Sequence, residues 1–398
     1  MPAGRRGGPN GAARSGAWRR LALLVLAAWA AAAAPARAVD EAPVRFSALP
    51  GWADEDHAAA FAAFRGTCPA VVGRRPPLVT GPADGRDLVR ACKMALALSP
   101  RLGAAEARGF FERNFHPVRI GEPATGFVTG YYEPELAGSR TRQGAFRYPL
   151  YAPPAGIVAV TAGDGLGGGL THARRGADGR LAAMPDRAAI EAGALAGQGL
   201  ELVWLADPID AFFVHVQGST RVRLDDGSVV RYGFAARNGH PYTAIGKLLI
   251  DRGAIARDDM TAPRLVAWLR AHPDEAPALM AANRSYIFFR EVEGLDAAAG
   301  PVGALGAPLV AGRSLAVDPK VHPLGVPVYV AADLPATPEG ATAPFRRLMV
   351  AADTGAAIRG PGRADVFLGS GAEAGAVAGL MRHPASFFVL VPGAGDGR

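Results

Sequence analysis

Hydrophobic positions along the chain change their period three times. Between residues 53 and 115, apolar side chains recur at three-to-four spacing in "DEDHAAAFAAFRGTC", "DGRDLVRACKMALAL" and "AAEARGFFERNF", as in helices that each bury one face. Pro76-Pro77 and Gly81-Pro82 punctuate the segments. From Gly126 the period shortens to two. "GFVTGYYEPEL" and "FRYPLYAPP" alternate between turn formers and predict short strands. Residues 155–185, rich in Gly, Ala and Arg, show no period and are expected to form a long surface loop. "DAFFVHVQGSTRVRLDDGSVVRYGFAARNG" reads as a hairpin of two alternating strands joined at Asp225-Asp226-Gly227, where an Asp-Gly pair supplies positive φ. Helical spacing returns in "YTAIGKLLIDRG" and "TAPRLVAWLRAHP". After Asn283 strands dominate: "SYIFFREV", "RSLAVDP", "VPVYVAAD", "RRLMVAAD", "ADVFLGSG" and "SFFVLVP". Short β segments so spaced favour a small closed barrel, in a chain that is mainly β with helices.

Composition changes this picture at one end. Arg5, Arg6, Arg14, Arg19 and Arg20 precede an apolar stretch from Leu21 to Ala34, and Ala36-Arg37-Ala38 is a small-x-small cleavage site. Together they predict a secretory signal peptide over residues 1–38, a mature chain from near Val39 and a periplasmic location. The apolar run, roughly 14 residues, is short of the ~20 a membrane-spanning helix needs. The Arg19-Arg20 pair leaves Sec and twin-arginine export both open, and no cysteine stands near the cleavage site to carry a lipid. The segment holds six arginines and no acid, so its removal lowers the formal charge from +7 to about +1. No basic patch is left to predict a nucleic-acid partner.

About 360 residues remain, enough for two domains with their own cores. The two cysteines, Cys68 and Cys92, could close a loop of about 25 residues, worth roughly 3 kcal/mol as a disulfide. Neither has a histidine or second thiol at metal spacing, so no zinc site and no cofactor is expected.

The candidate chemistry is acidic. Asp353-Thr354-Gly355-Ala356 follows an apolar run as in an aspartic protease, but that mechanism needs two such carboxylates sharing a proton, and the chain has one Asp-Thr-Gly. Asp318, Asp353 and Asp365 all flank short strands of the proposed barrel and could converge on one face. Mutual repulsion and partial burial would then raise the pKa of at least one. Taken singly, Asp318 and Asp353 read better as turn and cap residues that hold backbone amides. Tyr131 and Tyr132 suit sugar stacking, and Gln217, Ser219 and Arg221 alternate on one expected strand face, which His215 continues.

"GYYEPEL" (130–136), "HVQGSTRVRL" (215–224), "NRSYIFFRE" (283–291), "RSLAVDPKVHPLGVPVYV" (313–330) and "AADTGAAIRGPGRADVFLGSGAEAG" (351–375) resemble, in order, the membrane-bound lytic murein transglycosylase A family. The last block also resembles a three-aspartate domain. The resemblance implies a double-psi β-barrel built from early and late chain, residues 39–134 and 283–398, around an inserted β-rich domain at 135–282, with a glycan groove between them. It implies a peptidoglycan lytic exotransglycosylase that cleaves the β-1,4 bond between N-acetylmuramic acid and N-acetylglucosamine and leaves a 1,6-anhydro end.

By the same resemblance Asp365 acts as acid and then base, Asp353 supports it, and Asp318 braces the barrel. One carboxylate can suffice because the nucleophile, the muramic 6-hydroxyl, is already attached to the sugar. Thr129, Tyr131, Tyr132, Gln217, Ser219, Arg221, Tyr286 and Arg359 are the expected glycan-binding residues. Arg359 stands where the family motif usually has lysine. The implied partners are peptidoglycan glycan strands, with cell-wall synthesis or division proteins beside them; outer-membrane association stays open without a lipidated cysteine. Two alternatives remain at this point: a non-catalytic glycan-binding protein, and a muramidase in which Asp353 or Glu373 positions a water opposite Asp365.

Overall fold

The computed structural model describes residues 41–75, 79–296 and 298–393. The expected signal peptide and the Pro76-Pro77 break lie outside the described residues. A short strand, β1 (Glu41–Pro43), precedes three helices, α1 (His57–Val72), α2 (Gly85–Ala97) and α3 (Ala104–Asn114). Asp56 and Asp84 cap the first two, their carboxylates accepting from the amides of Ala59 and Arg86 and so satisfying N–H groups the helix leaves unpaired. Cys68 and Cys92 are disulfide-bonded, joining α1 to α2. Phe61 and Phe64 on α1 meet Phe110, Phe111 and Phe115 edge to face, with centroids 5.0 Å apart at the Phe61–Phe110 contact. This is a geometry aromatic rings favour.

β2 (Phe115–Ile120) and β3 (Gly126–Glu133) follow, and at Pro134 the chain leaves this body. It builds β4 (Glu135–Ser139), β5 (Tyr148–Tyr151), β6 (Ile157–Ala159), β7 (His172–Arg175), β8 (Leu181–Ala182), the helical turn α4 (Arg187–Ala189), β9 (Glu201–Leu205) and α5 (Pro208–Gln217). Next come β10 (Ser219–Arg223), β11 (Val229–Arg237), α6 (Ile245–Asp251), α7 (Ala262–Ala271), α8 (Ala276–Ala281) and β12 (Ile287–Glu291). These strands form a six-stranded sheet in the order β12-β11-β10-β4-β9-β5 and a separate sheet of β6, β7 and β8. Val203, Leu205, Val214, Val222 and Phe289 pack beneath the larger sheet, and Phe212, Leu249, Leu269 and Leu279 form a helical cluster beside it.

Two sequence expectations fail here. Residues 155–185 are not one loop: three short strands pair within them. "DAFFVHVQ" is the helix α5 rather than a strand, although the hairpin turn at Asp225-Asp226-Gly227 does join β10 to β11, with Gly227 at φ 83. The helix signals were in the sequence. Asp207 caps two amides, Pro208 takes the first turn, and Gly218 ends the helix at φ 87.

The chain returns for β13 (Ser314–Val317), β14 (Pro327–Pro335), β15 (Thr342–Thr354), β16 (Arg363–Ser370), α9 (Gly371–Leu380) and β17 (Arg382–Pro392). Six strands close a barrel in the order β3-β17-β14-β15-β13-β16 and back to β3, with β13–β15 and β16–β3 parallel and the remainder antiparallel. Its strands are apolar nearly throughout, such as "SLAV" and "PVYVAA", because α1 and its neighbours bury the outer surface in the same core that fills the barrel. Only a strand from the early chain, β3, completes the ring. The fold is therefore mainly β with helices, a barrel of early and late segments around an inserted β-rich body.

Candidate active site

Register places the acids. β16 runs parallel to β3 with Asp365 opposite Thr129 and Phe367 opposite Tyr131. Alternate residues of a strand share a face, so Thr129 and Tyr131 project together. The Thr129 hydroxyl donates to Asp365 Oδ1, which Arg363 also contacts, and Arg363 donates to Thr129 Oγ1 at 2.9 Å. The Arg363 guanidinium lies over the Phe127 ring, 5.4 Å from its centroid. Both contacts to Asp365 fall on Oδ1. Its Oδ2 accepts no hydrogen bond from the described residues and is the oxygen available to a ligand.

Asp353 sits near the end of β15. Its Oδ1 accepts from the Ala304 amide at 2.9 Å and its Oδ2 from the Tyr131 hydroxyl at 3.0 Å. Burial pushes its carboxyl above the ordinary 3.8, against these hydrogen bonds, and the charge of Asp365 adds to the rise. Burial, and then the charge of Asp353, hold the Tyr131 phenol well above 10, so it stays a donor. Asp318 is apart from this pair. Buried after β13, it accepts from the Lys320 amide at 3.1 Å and the Gly360 amide at 2.9 Å, pinning the connection between β15 and β16. His322 helps there: its Nε2–H donates to the Pro361 carbonyl at 2.9 Å, and burial lowers its pKa and favours the neutral ring.

A cleft of about 480 Å³ runs between the barrel and the inserted body. Asp353, Asp365 and Tyr131 line it from the barrel; Gln217, Ser219, Arg237 and Ile287 line it from the other side. Asp353 and Asp365 are the only carboxylates among its described lining residues.

The expected glycan-binding residues divide. Gln217 and Ser219 reach the cleft, but not as one strand row, because Gln217 ends α5; its side chain accepts from the Tyr132 amide at 3.1 Å. Arg221 is turned away. Arg221 and Arg231 pair with the fully buried Glu133, each at 2.9 Å, and both donate to the Ala299 carbonyl. Tyr132 packs against the backbone of Gly375 on α9, and Tyr286 is buried under the cleft beside His215, with ring centroids 4.1 Å apart. His215 is uncharged, held well below 6.5 by burial and by Arg187. Arg359 is exposed and donates to the Ile358 carbonyl at 2.9 Å. Glu373 faces a different cleft, with Leu334, Phe345 and Arg347, so it cannot hold a water opposite Asp365.

Sequence reasoning missed Arg187, Arg237, Tyr242, Asn283 and Arg290, all cleft-lining. Tyr242 feels the charge of Asp365, which with burial raises its phenol. Arg237 ends an alternating strand and Asn283 and Arg290 lie in the "NRSYIFFRE" stretch, but no short pattern marked any of them as facing the cleft.

Comparison with known proteins agrees with this geometry. Residues 127–290 match the MltA specific insert domain and residues 313–391 the 3D domain. Membrane-bound lytic murein transglycosylase A of Escherichia coli K12 is 34% identical over 273 residues, 67% of each chain. The chain belongs to the membrane-bound lytic murein transglycosylase A family. The Vibrio cholerae member is 33% identical over 262 residues, 64% of this chain and 62% of that one. Among solved members of the family, the membrane-bound lytic murein transglycosylase from Agrobacterium tumefaciens superposes with a TM-score of 0.80 at 38% identity, over 89% of this chain and 98% of that one. E. coli MltA with bound chitohexaose superposes at 0.61 with 27% identity, over 89% and 92%. Among the described residues no helix is long and apolar enough to cross a membrane, and no cluster of His, Cys, Asp or Glu could hold a metal.

Proposed function

We propose that this chain is a lytic transglycosylase of peptidoglycan, in which Asp365 alone carries both proton transfers. Asp365 in a long open cleft, with Oδ1 fixed by Thr129 and Arg363 and Oδ2 available, supports the reading most strongly. In the first step the protonated Asp365 gives its proton to the glucosamine O4 as the C1–O4 bond of muramic acid breaks. In the second, the carboxylate takes the proton of the muramic 6-hydroxyl as that oxygen bonds C1, which closes the 1,6-anhydro ring. No water is consumed and Asp365 ends protonated.

Asp353 supports rather than cuts. Its oxygens accept from Tyr131 and from the Ala304 amide, and no second carboxylate is hydrogen-bonded to it. That weighs against the aspartic protease, which needs two carboxylates sharing a proton. Its charge, near Asp365, suits an oxocarbenium-like centre at C1. Asp318 braces the loop. Gln217, Ser219 and Tyr242 are the cleft side chains we assign to glycan contact, with the domain boundaries near residues 134 and 283. The expected leader supports export, with the enzyme working in the periplasm.

Digestion of purified sacculi, read by mass spectrometry, tests this. Anhydro-ended muropeptides are expected. Reducing-end products, heavier by one water, would mean a hydrolase; intact glycan that nevertheless binds would mean a binding protein.

A further inference from the structure

Four arginines line the cleft, and they fall into two kinds. Arg187 and Arg74 are satisfied: Arg187 pairs with Glu191 at 3.2 Å and donates to the carbonyls of Asn283 and Ser285, and Arg74 donates to the Ala304 carbonyl at 2.9 Å. Arg237 and Arg290 have no carboxylate within ion-pair distance among the described residues. For Arg290, which is exposed, that is ordinary. Arg237 is half-buried at the end of β11, its guanidinium over the Phe234 ring at 5.4 Å.

The neighbours of Arg237 deepen the imbalance. Burial lowers its pKa and the charge of Arg359 lowers it further; His172, across from it on β7, is lowered by burial and by Arg237. A half-buried cation with no carboxylate beside it is costly in the fold. Arg237 comes from the inserted body and lines the cleft that holds Asp365.

Resting on the glycan reading above, we propose that Arg237 binds a carboxylate of the peptide stem carried by muramic acid, and that the enzyme selects stem-bearing glycan by this contact. A planar guanidinium takes a carboxylate with two parallel hydrogen bonds, and a stem carboxylate supplies the counter-charge that Arg237 lacks. The peptide stem supplies such groups at its acidic residues and its terminus. A neutral N-acetylglucosamine chain supplies none.

The test uses full-length Asp365→Asn protein, so that binding is read without turnover, with Arg237 intact or replaced as Arg237→Ala. Calorimetry at low and high salt compares three oligosaccharides of equal length: a neutral N-acetylglucosamine hexamer, a stem-stripped glycan keeping its lactyl carboxylates, and a stem-bearing glycan. The stem-bearing glycan should bind about tenfold or more tighter than the neutral one, with the advantage shrinking in salt and falling toward unity in Arg237→Ala. Arg237→Lys should restore part of it. Losses of equal size on all three ligands, or no stem preference to begin with, would overturn the proposal. An equal advantage for the stem-stripped glycan would assign the site to the lactyl group instead of the stem. Unfolding separates a structural role: Arg237→Ala should melt no lower than its parent, and a clear fall in Tm would count against a cation kept for ligand. Failure of all three ligands to bind would sink the glycan reading itself.

Discussion

One strand, β3, serves two polar constellations that are built in opposite ways. At Glu133 a buried carboxylate meets two arginines, Arg221 and Arg231, and the Ser370 hydroxyl at 2.8 Å, while the Ala299 carbonyl accepts one further N–H from each arginine. Two and four residues earlier on the same face, Tyr131 and Thr129 serve Asp353 and Asp365. There Asp353 has no cation against it, only a phenol and an amide, and burial raises its pKa. In the first cluster one buried carboxylate is paired with two cations, and the pairing ties the inserted body to the barrel. In the second, Arg363 pairs with Asp365 and Asp353 is left without a cation of its own, an arrangement that costs stability and that an acid–base site requires.

The largest effect should come from the active end of the comparison. Asp365→Asn should cut turnover of sacculi by roughly 10²–10⁴-fold, the usual worth of a positioned acid–base group, while thermal unfolding shows a native-like fold. At the structural end, Glu133→Gln leaves two buried arginines uncompensated. It should lower unfolding free energy by about 3–5 kcal/mol in denaturant titrations, and a loss under about 1 kcal/mol would show that the network holds nothing together.

Smaller changes sharpen the contrast. Tyr131→Phe removes one hydrogen bond from a carboxylate. Activity should fall by roughly tenfold, the scale of a charge-assisted bond, with little loss of stability. Asp353→Asn should stabilise the protein at pH 7 by on the order of 1 kcal/mol, as relief of strain at an active site does. The raised folded pKa of Asp353 sets the window. Below the ordinary 3.8 the group is protonated in both folded and unfolded chains and the substitution gains nothing. As pH rises through 3.8 and past the folded value, the cost of ionising the buried group accrues, so the gain should be complete at pH 7 and absent below about 3.8. A gain that does not change with pH would mean that packing, not charge, is responsible.

Much of this was legible in the sequence, for physical reasons. The barrel strands announce themselves because buried strands are continuous apolar runs of about the right length, and the three aspartates stand at their ends. Asp318 was readable as a turn residue and is one, since its carboxylate caps two amides. What failed was local competition. "FFVHV" has the residues of a strand, and only Asp207-Pro208 before it and Gly218 after it reveal a helix. Arg221 looked like a groove residue because alternation tells which face a side chain takes, not what covers that face; Glu133, 88 residues earlier, covers this one. Arg237 and Tyr242 reach the cleft from opposite ends of a loop whose path depends on the sheet below it, and no short pattern records that.

The central claim is that one carboxylate suffices because the sugar supplies its own nucleophile. Digesting sacculi in water enriched in oxygen-18 tests it most directly. The account predicts anhydro-ended muropeptides without label at C1, formed by the wild-type protein and lost in Asp365→Asn. Labelled reducing ends made by the wild-type protein would contradict it, since they place a water, and with it a second catalytic group, at the cleaved bond.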